Sequence, residues 1–199
     1  MGVGGALLAS VAPQALLAAH VQAREAAANG EAFRFFSPEE AADLKAFAAQ
    51  VIPSDETPGA NEAHVVYFID RALMEFEPAS GPRVREAIAE LNRVSQSSSM
   101  QPVRFAALAP EQQMRTMKGL EMLPNAPRPD VLGGFYGVGN SSFDVLRFLV
   151  LAGFLSNPEL GGNKDGVGWK LIGFDAMPTH EPPFGYYDAE LLKRPGVKE

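Results

Sequence analysis

Most of the prolines between Pro38 and Pro158 fall at the ends of segments whose apolar residues recur every three or four positions. Proline lacks an amide hydrogen and clashes with the turn before it, so it opens or closes a helix far more readily than it sits inside one. The pattern predicts a row of helices joined by loops. Ser37-Pro38-Glu39-Glu40 is a capping box with proline at the first helical position, and Ala41, Leu44, Phe47, Ala48 and Val51 follow on one face. That helix ends before Pro53, and Ser54 to Asn61 reads as a connecting loop. A second helix is predicted from about Glu62 to Phe76, with Val65, Val66, Ile69, Leu73 and Phe76 on its apolar side and Tyr67 and Phe68 widening the buried face. Pro82 to Val94 reads as a surface helix: Val84, Ala87, Ile88 and Leu91 point inward, and Arg83, Arg85, Glu86, Glu90 and Arg93 outward. Ser95 to Gln101 is polar and reads as a mobile link. Pro110-Glu111 opens a fourth helix with Met114, Met117 and Leu120 in the core, closed by Pro124 and the Pro127/Pro129 stretch.

One of Asn140, Ser141 or Ser142 then caps a strongly apolar helix, Phe143 to Leu155, with Asp144 and Arg147 outward. It is too short for the ~20 residues of a membrane span and suits the interior of a bundle. The fold expected is all-α: a single compact bundle of five to six helices, with a long glycine-rich loop and an extended C-terminal tail.

The loop is the densest stretch of the chain, GFLSNPELGGNKDGVGWKLIGF from Gly153 to Phe174. Asn157-Pro158 stops the preceding helix. Gly161, Gly162, Gly166 and Gly168 then alternate with Asn163 and Asp165, residues that accept left-handed backbone or bond nearby amides. Trp169, the single tryptophan, leads into Leu171, Ile172 and Phe174, enough apolar area to fasten the loop to a core or to a partner.

Asn163-Lys164-Asp165-Gly166 mimics the centre of a calcium-binding EF-hand loop. Aligned on its glycine, however, the first ligand position falls on Gly161 and the bidentate glutamate position on Ile172. A phosphate-binding loop fails too, because Lys164 precedes the glycines and no Gly-Lys-Ser/Thr follows. A rigid structural loop that doubles as a docking surface remains. Its candidate partner contacts are Asn163, Asp165, Gly166, Trp169, Lys170 and Phe174, joined by Phe184, Tyr186 and Tyr187 of the proline-rich tail.

Charge and composition narrow the function further. A net charge of −7 without a basic run argues against nucleic acid and anionic membrane. With no cysteine there is no disulfide, thiolate chemistry, cysteine-ligated cluster or Cys-x-x-Cys-His haem attachment in this chain. His20, His64 and His180 stand singly, with His64 read as a surface or cap residue, so no local metal pair is predicted. Gly133 to Gly139, GGFYGVG, contains a Gly-x-Gly, but the position where a dinucleotide fingerprint wants glycine or alanine falls on Ser142, and the stretch reads as a turn. No catalytic constellation is apparent, and no cofactor is expected in this chain.

Two separated blocks carry a family resemblance: FFSPEEAADLKAFAAQVIPSDETPGANEAHVVYFIDRAL and the Gly-Gly-Asn-x-Asp-Gly-x-Gly-Trp-Lys run. Over residues 35 to 175 the chain resembles the gluconate 2-dehydrogenase subunit 3 family, small subunits of periplasmic flavin-dependent sugar dehydrogenases. The resemblance implies a non-catalytic subunit that aids export and assembly of a large FAD-dependent (GMC-type) partner, with electrons passing to a c-type cytochrome. FAD and haem would belong to those partners.

Residues 1–23 are apolar and rich in small residues, end in Val21-Gln22-Ala23 and lack a basic start, like a truncated twin-arginine export signal. The organisation expected is this signal, a linker over 24–34, the helical domain over 35–175 and the tail over 176–199, in the periplasm. An alternative of another class is a stand-alone carbohydrate-binding module or enzyme using the Gly161 to Trp169 loop.

Overall fold

The computed structural model describes residue 30 and residues 32–75, 77–99, 102–123 and 141–174. Residues 1–23, read above as an export signal, Gly133 to Gly139, read as a turn, and the stretch beyond Phe174, read as an extended tail, lie outside these residues. Six α-helices, and no strand, occur among the described residues: α1 (Pro38–Val51), α2 (Val65–Glu75), α3 (Gly81–Ser99), α4 (Pro110–Glu121), α5 (Ser142–Leu155) and α6 (Val167–Leu171). The all-α bundle is the expected one.

Helix α5 is the central element and packs against each of the other five. Its composition explains the position. SFDVLRFLVLAGFL is apolar on nearly every side, so only a place among several helices buries it. Leu146 and Val150 are fully buried there with Leu44 and Phe47 of α1, Ile69 of α2, Val84 and Leu91 of α3, and Leu120 of α4.

The caps follow the sequence. Ser37 accepts from the Glu40 amide while the Glu40 carboxylate accepts from the Ser37 amide, and Ser141 is the residue that caps α5, accepting from the Asp144 amide.

Buried polar residues tie the helices at fixed points. Asp43 of α1 accepts from Asn92 Nδ2 of α3 at 2.7 Å, from the Ala106 amide at 3.0 Å and from Arg104; the Asn92 carbonyl oxygen in turn accepts from the Phe105 amide at 3.0 Å. One carboxylate thereby holds α1, α3 and the tight turn Phe105–Ala107 together. Asp70 of α2, also fully buried, accepts from the amides of Arg34, Phe35 and Phe36 at 2.9, 2.9 and 3.1 Å, and from Arg71. It fixes the chain just before α1.

Three expectations are corrected. The supposed mobile link at Ser95 to Gln101 is helical through Ser99, because Ser95 is buried and its hydroxyl donates to the Leu91 carbonyl one turn back, while Ser97 does the same to Arg93. Serines bonded in this way satisfy their own hydroxyls and stay compatible with helix. Arg83, predicted outward, is buried and donates to Ser142 of α5, whose hydroxyl donates to Glu90. Met114, placed in the core with Met117 and Leu120, stands 38% exposed while the other two are buried.

Candidate functional site

The loop after α5 is wound into two tight turns, Pro158–Leu160 and Lys164–Gly166, before the short helix α6. Asn157 starts it by accepting from the Glu159 amide through its side chain, which replaces the bond that Pro158 cannot donate. Asn163 is the keystone. It is fully buried with left-handed backbone (φ 46°); its Nδ2 donates to the Ser156 carbonyl at 2.8 Å and its Oδ1 accepts from the Gly168 amide at 2.7 Å. A single side chain therefore links the end of α5 to the start of α6. The loop is also tied to the turn that precedes α2, since the Lys164 amide donates to the Ala63 carbonyl at 3.2 Å. Asn163, a candidate partner contact by sequence, directs its side chain inward and shapes the loop.

Two glycines act in different ways. Gly166 has φ +67° with open space where a Cβ would stand, so only backbone conformation demands glycine there. At Gly168 a Cβ would lie 2.0 Å from the Phe154 carbonyl oxygen; its backbone packs directly on α5, and no larger residue fits without moving α6.

This close packing sets the outward side of the site. Trp169 Nε1 donates to the Leu155 carbonyl at 2.9 Å, which satisfies one of the carbonyls left open at the end of α5, and the indole meets the Phe174 ring edge-on with centroids 5.2 Å apart. Around it lie Leu151 and Leu155, one turn apart on α5, and Leu171, Ile172 and Phe174, each between 38% and 59% exposed. Lys170, next to Trp169 on α6, is exposed beside it.

The other side of the loop forms an open groove of about 330 Å³, lined by His64, Glu159, Lys164 and Asp165 among others. His64, Asp165 and Asn163 are the non-glycine residues with positive φ among the described residues, so the strained backbone of the molecule is gathered here. Burial and the nearby Lys164 push the His64 pKa below its ordinary value of 6.5, against a smaller opposite effect of Asp165. His64 stands directly before α2, and its carbonyl accepts from the Tyr67 and Phe68 amides.

Of the residues nominated from sequence, Asp165 and Gly166 fall on the loop, with Asn163 buried in it, Trp169 and Lys170 on α6 and Phe174 just after it; Phe184, Tyr186 and Tyr187 lie outside the described residues. Leu151 and Leu155 were not singled out. In a helix apolar all round, the sequence alone gives no signal of which side neighbours leave uncovered. The helix α6 was likewise missed, because it has five residues, follows Gly166 and contains Gly168, a poor helix former, so the run reads as loop.

The geometry is that of a rigid, polar-stapled loop presenting an apolar face. Residues 38–175, which run from the start of α1 to just past Phe174, match the family model described as gluconate 2-dehydrogenase subunit 3. The chain belongs to the gluconate 2-dehydrogenase subunit 3 family. Comparison with curated proteins and with solved structures gives no match. As a member of the subunit 3 family the chain is an accessory component of a dehydrogenase complex. The family match spans the whole described bundle and the loop but stops short of 176–199. Among the described residues of this family member, no three histidine or carboxylate side chains gather where they could hold a metal ion, and no helix is long and apolar enough to cross a membrane.

Proposed function

We propose that this chain is the non-catalytic small subunit of a periplasmic FAD-dependent dehydrogenase that oxidises a sugar or sugar acid, and that it supports export, folding and assembly of the flavoprotein subunit. The observation that carries the reading is the match of residues 38–175 to the subunit 3 family. The use of its buried polar groups is consistent with it. Asp43, Asp70, Asn92 and Asn163 are each committed to bonds that hold the bundle or the loop. FAD and haem would reside in the partners, the second of them a c-type cytochrome.

Co-expression with the flavoprotein subunit of such a dehydrogenase tests the role: the chain is expected to raise the yield of soluble, FAD-loaded partner and to elute with it. Equal yield without the chain would refute it. If the chain were instead a carbohydrate-binding module, sugars alone would quench the Trp169 fluorescence of the purified subunit in a saturable way.

A further inference from the structure

The exposed apolar side chains Leu151, Leu155, Leu171, Ile172 and Phe174 surround the half-buried Trp169 at one end of the molecule. Together they leave on the order of 400 Å² of apolar surface in one place, the size at which a patch on a monomer usually has a function. Trp169 at its centre is held by its bond to Leu155 and its edge-on contact with Phe174, so little side-chain freedom is left to lose on binding. A rigid aromatic anchor ringed by aliphatic side chains is the usual energetic centre of a protein interface.

Charge narrows the kind of partner. Residues 151–174, which bear the face, carry two acidic side chains (Glu159, Asp165) and two basic ones (Lys164, Lys170), so this segment has no net charge although the chain carries −7. An anionic membrane or a nucleic acid would need a basic excess here; an apolar protein surface does not. The area decides the extent. A stable subunit interface takes ~800 Å² from each partner, so the patch fits as the centre of one, with Lys170 in its polar rim.

We infer that this face, centred on Trp169 and bounded by Leu151, Leu155, Leu171, Ile172 and Phe174, is where an apolar surface of the dehydrogenase's large subunit docks. The inference rests on the accessory-subunit reading above. All six residues lie within the family-matched segment, whereas residues 176–199 of the chain lie beyond it.

The test co-expresses the full chain with the flavoprotein subunit and compares wild type with the double variant Leu155→Gln/Ile172→Asp and with Met74→Asp. Met74 is a 47% exposed apolar residue near the far end of α2. The double variant is expected to weaken association at least tenfold with the melting temperature of the lone subunit unchanged, and Met74→Asp to leave both unaltered. Wild-type association with undiminished binding by the double variant would overturn the surface assignment and leave the accessory role standing. A fall in the melting temperature of the lone subunit would show that the chain's own segment covers the face, and dissociation of a dimer of lone subunits would show that a second copy does; either overturns the assignment. If wild type fails to associate at all, the accessory reading falls and the assignment with it.

Discussion

Gly166 and Gly168 stand two residues apart and would be treated alike by any argument from glycine content, yet their surroundings make opposite demands. Gly166→Ala keeps its contacts and costs only the left-handed backbone, about 1–2 kcal/mol. Gly168→Ala drives a methyl group into the Phe154 carbonyl and pulls the Gly168 amide from Asn163, so a loss of about 3 kcal/mol is expected, with displacement of α6. Thermal unfolding of the two variants checks the order, and equal losses would contradict the close packing seen at Gly168. At His64 the consequence is one of pH. Its folded pKa lies below the unfolded one because burial and Lys164, with a smaller push from Lys45, disfavour the charged imidazole, while Asp165 opposes them. The contribution of neutral His64 to stability is therefore present above the unfolded value of about 6.5 and is lost as pH falls through the folded value. His64→Gln is expected to flatten the decline of melting temperature between about pH 6.5 and 5; an unchanged slope would place the titration elsewhere.

Between helices, stability is concentrated at a few buried carboxylates. Asp43 serves α1, α3 and the Phe105–Ala107 turn at once, so Asp43→Ala leaves the Ala106 amide without its acceptor and Asn92 Nδ2 with only the Ile88 carbonyl, and is expected to cost about 3 kcal/mol. Arg104, 44% exposed, can turn to solvent and adds little to that loss. Because Asn92 bonds both Asp43 and the Phe105 amide, the double variant Asp43→Ala/Asn92→Ala is expected to lose less than the sum of the single losses, and a double-mutant cycle by chemical denaturation measures the difference. The same network explains why helix boundaries were easier to read than helix faces. Pro38, Pro110, Ser37 and the Ser141 cap act locally, and the sequence shows them directly. Asp43, Asp70 and Arg83 are charged residues that fold inward only because a distant partner meets them, and neither periodicity nor polarity carries that information.

At the scale of the whole molecule, the all-α architecture and the singular loop were legible because both rest on local chemistry: helical spacing cut by proline, and a concentration of glycine, asparagine and aspartate. The uncovered face was not, since exposure of Leu151 and Leu155 depends on where α1, α2, α3, α4 and α6 pack around α5. The direction of Asn163 was also hidden, because an asparagine in a glycine-rich loop looks the same whether it reaches out or in. One further property follows from Asp70. Three successive amides, those of Arg34, Phe35 and Phe36, converge on that single carboxylate, with the Phe35 carbonyl also accepting from Arg85 at 2.7 Å. Tension applied to the chain from its N-terminal side would meet these bonds side by side and must break them together, whereas the turns of α1 behind them would otherwise peel one at a time. Asp70 is a mechanical stop. In a force-extension measurement Asp70→Ala is expected to lower the force at which α1 begins to unwind; an unaltered rupture force would mean that the load is carried elsewhere.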